Sequence, residues 1–239
     1  MRVLGHKAYG SIPHLPGSRT GPSDRTVDAP AAQRLTVSCG SDRVVVREKL
    51  DGTCVAIARH DGHILALGRD GGLASASRNV GRRAFARWVD AHATRFMELL
   101  HDGERFVGEW LALVHSTHYD LTHAPFVVFD LMRGRERVLD AELRERARGL
   151  VLPALLHEGA ACSVERAMKR LGVHGHHGAR EEAEGAVWRL ERAGRVVLVA
   201  KYVRASKRDG LWLPDHTGEP PQWNRAPGWH PPSFEPETT

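Results

Sequence analysis

The chain has 239 residues, of which 41% are hydrophobic and 26% charged. Those ordinary globular proportions exclude wholesale disorder and collagen-like or coiled-coil architecture, and the length fits one large domain or one domain with a small appendage. Lysine plus arginine is 34 against 29 acidic residues, a net charge of +5, which favours a polyanionic partner without requiring one.

Residues 1–33 are rich in Gly, Pro, Ser and Arg and read as an irregular arm. Strands are expected next, over Arg34 to Cys39 and Arg43 to Leu50, both β-branched and bounded by turn residues. Thr53 to Arg59 and His63 to Gly68 flank Asp61-Gly62, a strong hairpin signal. Asn79 to Leu100 carries Phe85, Trp88, Val89, Phe96, Leu99 and Leu100 at helical spacing. Arg105 to Val114 and Pro125 to Met132 read as buried strands. Asp140 to Leu156 reads as a helix that Pro153 could end at Leu152, and Ser163 to Leu171 as one that Gly172 stops. Ala186 to Glu191 and Val196 to Val203 form a second hairpin around Ala193-Gly194. The tail from Pro214 is Pro-rich and carries Trp223 and Trp229. Mixed, non-alternating order of strands and helices predicts an α+β fold with largely antiparallel sheets.

No apolar run approaches the ~20 residues of a membrane span, and no apolar core follows Met1 to suggest a secretory leader. Cys39, Cys54 and Cys162 make neither a disulfide framework nor a metal site by their spacing. The expected compartment is therefore the reducing cytoplasm. Only five of the 34 basic residues are lysines, at 7, 49, 169, 201 and 207. In so arginine-rich a chain, each lysine is a candidate for chemistry that a permanently protonated guanidinium cannot do.

Six stretches carry candidate chemistry. Glu48-Lys49-Leu50-Asp51-Gly52-Thr53 ends a strand on a rare lysine, beside a turn whose backbone could approach a nucleotide. Gly68-Arg69-Asp70-Gly71-Gly72 sets an arginine among glycines, which suits phosphate, with Arg78 as a rival. Glu109, in Gly108-Glu109-Trp110-Leu111, is a carboxylate inside an apolar strand, costly unless paired, hydrogen-bonded or on a wet edge. Phe126-Val127-Val128-Phe129-Asp130 ends a strand on an aromatic and an acid; Phe129 is either core or a platform for a base. Glu184-Gly185-Ala186-Val187-Trp188-Arg189 offers a carboxylate suited to a hard cation, or a solvated turn. Lys201, in Val199-Ala200-Lys201-Tyr202-Val203-Arg204, faces either a phosphate or water from an edge strand. Each has an ordinary structural explanation when taken alone.

Together, in this order and spacing, they resemble the covalent nucleotidyltransferase superfamily of polynucleotide ligases and capping enzymes, and within it the ATP-dependent RNA ligase family. The likeness runs over roughly residues 6–213. It implies a nucleotidyltransferase (adenylation) domain over 1–213, with helices flanking antiparallel sheets and a nucleotide cleft between them. A Pro-rich tail over 214–239 follows, and the 35 residues after Arg204 are too few for an OB domain. That shortage argues against a capping guanylyltransferase.

The resemblance also implies roles. Lys49 would attack the α-phosphate of ATP and become lysyl-AMP, with Mg2+ or Mn2+ held at Glu184. Glu48 falls where the family contacts adenine, Arg69 where it holds ribose or phosphate, and Glu109 where it binds the ribose hydroxyl. Phe129 matches the aromatic that stacks on adenine, Arg189 a basic phosphate contact, and Lys201 the lysine on the α-phosphate. AMP would pass to the 5′-phosphate of an RNA and leave when a 3′-hydroxyl attacks. Some relatives carry another lysine two residues after the last, where this chain has Val203; Arg204 is the candidate substitute. A free lysine, with a pKa near ~10.4, is a poor nucleophile at neutral pH, so neighbouring cations and burial are expected to lower it. The rival readings are an ATP-dependent DNA ligase and a catalytically idle nucleic-acid-binding relative. Arg78, Arg82, Arg83 and Arg87 are candidates for a backbone-binding face. His174-Gly175-His176-His177 and the trio His115, His118 and His123 read as loop histidines rather than metal ligands. A protein partner cannot be named from the sequence.

Overall fold

The computed structural model describes residues 2–38 and 40–231. In chain order its elements begin α1 (Ala29–Thr36), β1 (Arg43–Lys49), β2 (Thr53–His60), β3 (His63–Gly68), α2 (Val80–Ala91), α3 (Ala93–Leu99), β4 (Glu104–Trp110) and β5 (Phe126–Arg133). They continue β6 (Glu136–Arg137), α4 (Asp140–Arg146), β7 (Leu155–Gly159), α5 (Val164–Leu171), β8 (Gly185–Arg192), β9 (Arg195–Val203) and α6 (Pro214–Thr217). The strands make two sheets, ordered β7-β1-β8-β9 and β3-β2-β4-β5-β6. Every pairing within them is antiparallel, as the α+β expectation requires.

Strand alternation decides which residues face where. In the first sheet Val44, Val46, Trp188, Leu190 and Ala200 point to one side and pack with Leu35 of α1 and with Ala167 and Leu171 of α5. In the second, Val55, Ile57, Phe106 and Val128 pack with Phe85, Trp88 and Val89 of α2 and Phe96 of α3. The opposite face of the second sheet, through Ala56, Ala58 and Val107, meets Ala8 and Tyr9 of the N-terminal arm. Helices therefore seal one face of each sheet and leave the other for the cleft.

Both expected hairpins are tight two-residue turns. Asp61 and Gly62 have φ of 48° and 74°, and Ala193 and Gly194 have φ of 45° and 75°. Two successive positive φ values define the turn whose twist matches that of paired strands.

Three expected elements differ. Residues 34–36 are helical rather than extended, and Cys39 lies outside the described residues. Asp28 caps α1 by accepting from the Ala31 N–H, and Pro30 sits in its first turn; those start signals outweigh the β-branched Thr36 and Val37. The helix expected over 79–100 breaks at His92 (φ −117°, ψ 14°), whose ring donates to the Trp88 carbonyl at 2.7 Å. The helix expected from Asp140 stops at Arg146, and Leu155–Gly159 becomes the edge strand beside β1.

The arm is irregular to Asp28 but firmly attached. The Lys201 N–H donates to the Pro13 carbonyl (2.9 Å) and the Leu15 N–H to the Lys201 carbonyl (2.8 Å), so the arm covers the free edge of β9. In the tail, Trp223 and Trp229 pack with their rings tilted by 50°, and Trp229 meets Trp110 edge-on at 5.8 Å. Asn224 fixes this segment by donating to the Leu111 carbonyl (2.6 Å) and accepting from the Tyr119 N–H (2.8 Å). No helix among the described residues is long and apolar enough to cross a membrane.

Candidate active site between the sheets

β1 belongs to one sheet and β2 to the other, so Leu50-Asp51-Gly52 carries the chain across the gap with Lys49 at its edge. Gly52 is required there: a Cβ would lie 2.6 Å from the Trp110 carbonyl oxygen. The open faces enclose a cavity of about 390 Å³. The first sheet contributes Val45, Arg47 and Lys49 from β1, Val187 and Arg189 from β8, and Val199 and Lys201 from β9. Period-2 alternation thus gives one sheet an apolar face toward the helices and a four-cation face toward the cavity. The second sheet contributes Cys54, Glu109 and Phe129, and the arm adds Tyr9, Gly10 and Ile12.

Lys49 Nζ donates to Glu184 Oε2 at 2.7 Å. The Lys49 side chain is 22% exposed and that of Glu184 8%. Glu184 sits beside Lys49 because Gly185 pairs with Lys49 in the β1–β8 register. Gly185 has no room for a side chain, since a Cβ would lie 1.9 Å from the Tyr202 carbonyl oxygen. Burial alone pulls the Lys49 ammonium down, but Glu184, Glu109 and Asp51 overcome it and hold its pKa above the lysine range. The expectation of a depressed pKa is thus reversed in the protein's own field: carboxylates, not cations, are its nearest charged neighbours.

The acids respond in the opposite sense. Burial pushes the Glu109 carboxyl up to about 8, with Lys49 opposing and the Glu184 and Asp51 charges adding to the rise. Burial also raises Glu184. Glu109 lies on β4, between β2 and β5, so it is no edge-strand glutamate. It accepts from the Gly52 N–H at 3.1 Å and faces the cavity.

Lys201 projects from β9 into the same cavity; burial and the Lys49 charge lower its pKa. Among the described residues no carboxylate lies within salt-bridge distance of it. Arg69 lines the opening and ties one nitrogen to Ser11 Oγ (3.0 Å) and the Gly10 carbonyl (3.3 Å). Phe129 presents its ring to the cavity and meets Tyr9 edge-on at 5.3 Å.

Two of the expected site residues sit differently from the rest. Alternation turns the Glu48 side chain to the opposite face of β1 from Lys49, where it is 2% exposed and accepts from the His176 N–H at 3.0 Å. Burial raises its carboxyl to about 7. Position 48 borders the cavity, and its backbone is what it can offer there. Arg189 lines the cavity, yet its guanidinium is committed to Asp130 (2.8 Å) and to the Val138 (2.8 Å) and Phe129 (3.3 Å) carbonyls. Asp130 is fully buried and also takes Tyr9 Oη and Arg137 Nε, each at 2.9 Å. Arg204 does not fill the place of the lysine absent at 203. It donates to the Ala183 carbonyl and pairs with Glu182, both at 2.9 Å, outside the cavity.

Sequence reasoning missed several neighbours. The Asp51 carboxylate is held by the Ser116 N–H (2.9 Å), Thr117 Oγ1 (3.1 Å) and the Lys207 ammonium (2.9 Å). Its N–H donates to Tyr119 Oη at 3.0 Å. Lys207 is one of the five lysines, so its rarity was the available signal. His177 is buried rather than a surface-loop residue and meets His123 at 2.9 Å. No group of three or more potential metal ligands converges among the described residues.

The sequence profile of the RNA ligase family matches residues 42–203, about two thirds of the chain. The chain belongs to the RNA ligase family. Among solved structures, an archaeal ATP-dependent RNA ligase superposes with a TM-score of 0.54 at 21% identity, covering 82% of this chain and 48% of that one. A Naegleria gruberi RNA ligase variant with AMP and Mn gives 0.51 at 14% identity, with 83% and 60% covered. Another variant of that ligase, with ATP and Mn, gives 0.52 at 14%, with 86% and 62%. These likenesses establish a shared nucleotidyltransferase-type fold. This family member spans about half the length of the archaeal ligase it matches. No curated protein matches it.

Proposed function

We propose that the chain is an ATP-dependent RNA ligase whose nucleophile is Lys49. The observation that carries this is the Lys49–Glu184 contact at the crossing between sheets, with Lys49 lining a cavity that also presents Arg69, Glu109, Phe129 and Lys201. An aromatic ring, two further cations, and a buried and a half-buried carboxylate around one amine suit a nucleoside phosphate that must be gripped while its α-phosphorus is attacked.

Phe129 stacks on adenine, and the backbone beside Glu48 reads the base edge. Glu109 accepts from a ribose hydroxyl. Arg69 and Lys201 hold phosphate oxygens, and Lys201 stabilises the charge that builds on the α-phosphate. Arg189 acts from behind the face: its ion pair with Asp130 fixes the strand that carries Phe129. Lys49 forms the P–N bond as pyrophosphate departs with the broken bond's electrons. The RNA 5′-phosphate then takes the AMP and returns the amine to Lys49. Attack by the 3′-hydroxyl seals the strands and releases AMP.

The carboxylates suit a divalent cation. Burial, with lesser help from neighbouring carboxylate charge, raises the Glu184 and Glu109 carboxyls, and a hard cation beside them would favour their charged form. A set of one or two carboxylates completed by substrate phosphates fits Mg2+ or Mn2+. Glu184 would hold such an ion, which would supply positive charge against the phosphates and leave Glu184 less able to keep Lys49 protonated. The domain proper is 1–213, with 214–239 as its appended tail. Cys54 and Cys162 are free thiols, which suits a cytoplasmic enzyme.

The test is sealing of a 5′-phosphorylated, 3′-hydroxyl RNA nick in the presence of ATP and Mg2+, beside a DNA nick of the same sequence. Joining of the RNA ends supports the proposal. Joining of the DNA nick alone supports the DNA ligase reading, and joining of neither the idle-relative reading.

A further inference from the structure

Arg82 lines the cavity but has no part in the roles proposed for Lys49, Arg69, Arg189 and Lys201. It lies in the first turn of α2, fixed there because its own N–H donates to the capping Asn79 side chain at 3.0 Å. Its side chain lines the same cavity as Lys49, Arg69 and Cys54. The other arginines of that wall are engaged. Arg47 is spent on Asp140 and the Pro153 carbonyl, and Arg189 on Asp130 and two carbonyls. On α2 itself, Arg83 turns back to the Ser77 and Arg78 carbonyls, and Arg87 is exposed away from the cavity.

The Arg82 guanidinium makes no hydrogen bond among the described residues, and its Nε is buried without an acceptor. Its nearest carboxylate, Asp70, is 3.8 Å away and largely exposed. A buried N–H with no partner costs free energy that a ligand's acceptor would return. A guanidinium fork matches the oxygens of a phosphate.

We infer that Arg82 binds a phosphate group at the cavity mouth, distinct from the α-phosphate attacked by Lys49. This rests on the ligase reading. That reaction offers two such groups: the pyrophosphate portion of ATP, and the 5′-phosphate of the RNA that accepts AMP. They share the same chemistry and arrive in different steps.

The steps can be separated. Arg82→Ala and Arg82→Lys are compared with wild type in three measurements: calorimetric titration with inorganic pyrophosphate, the ATP dependence of lysyl-AMP formation, and transfer of AMP from isolated lysyl-AMP protein to 5′-phosphorylated RNA. If Arg82 serves the pyrophosphate portion, Arg82→Ala weakens pyrophosphate binding and raises the ATP requirement about tenfold, while transfer to RNA is unchanged; about tenfold is one lost charge-assisted contact. If it serves the RNA, the first two hold and transfer falls about tenfold. Arg82→Lys, which keeps the charge and loses the fork, falls between and controls for folding. Wild-type values in all three measurements overturn the inference. Should wild type itself form no lysyl-AMP, the ligase reading fails, and the pyrophosphate titration still decides whether Arg82 is an anion site.

Discussion

Lys49 and Glu184 meet at 2.7 Å across 135 residues of sequence. The contact joins the end of β1 to the residue before β8, and the pairing of Lys49 with Gly185 holds them in register. The same register sets Arg47 opposite Val187 and Val45 opposite Arg189. The β8–β9 register then sets Lys201 opposite Val187, so two neighbouring strand pairings build the cationic face of the cavity.

Lys49→Ala and Lys49→Arg are both expected to abolish lysyl-AMP formation. The alanine has no amine, and the guanidinium stays protonated. Intact-mass measurement after incubation with ATP and Mg2+ reads the adduct directly. Retained adduct in either variant would move the nucleophile elsewhere.

Glu109→Ala and Glu184→Ala are each expected to lose more than about 2 kcal/mol of transition-state stabilisation, the scale of a preorganised polar contact. Single-turnover rates for the adenylation and sealing steps check this. Losses below threefold in every step would remove that carboxylate from the machinery.

The Lys49 ammonium is held by its carboxylate neighbours, so adenylation in the wild type should accelerate as pH rises from 7 through 9. A rate that is flat over that range would show that the amine is already free at neutral pH.

Glu48 gives a stability prediction with a definite sign. Its carboxyl is raised to about 7 in the fold from an unfolded value of 4.5. The folded state therefore binds the proton more tightly, and wild-type stability is lost as pH rises through that window. Glu48→Gln removes the buried charge. Its stability relative to wild type should improve by on the order of 3 kcal/mol between pH 4.5 and 8, read from denaturation midpoints at both values. A difference independent of pH would contradict the burial argument.

Asp130 compensates Arg137 and Arg189 and anchors the arm through Tyr9. Asp130→Ala leaves a buried arginine without its partner and should cost about 3–5 kcal/mol. Tyr9→Phe loses one hydrogen bond, about 1 kcal/mol. Urea denaturation measures both, and equal small effects would mean that the network carries little energy.

Much of this was legible in the sequence because it is local. The hairpin turns at Asp61-Gly62 and Ala193-Gly194 announce themselves by residue type, and β-branched residues mark β1, β2 and β9. Lys49 and Lys201 stand out as rare lysines on strands, Glu109 as a charge inside an apolar strand, Phe129 as an aromatic near a strand end, and Glu184 as a carboxylate before Gly185. What was hidden depends on tertiary partners. β7 is a short Leu-Leu-His-Glu-Gly run that is a strand only because β1 has an edge to fill. Arg189 looked like a phosphate ligand until Asp130 was seen beneath it. The facing of Glu48 follows from adjacency: Lys49 faces the cavity, so its neighbour on the strand faces away. The Lys49 field could not be signed from sequence, since Glu109, Glu184 and Asp51 converge only in the fold.

The central claim is covalent adenylation at Lys49. The most direct measurement is incubation with α-labelled ATP or GTP and Mg2+, followed by denaturing electrophoresis of wild type and Lys49→Ala. Label retained from ATP, not from GTP, and absent in Lys49→Ala is the predicted result. No label on a folded wild-type protein, or equal label on Lys49→Ala, would contradict it.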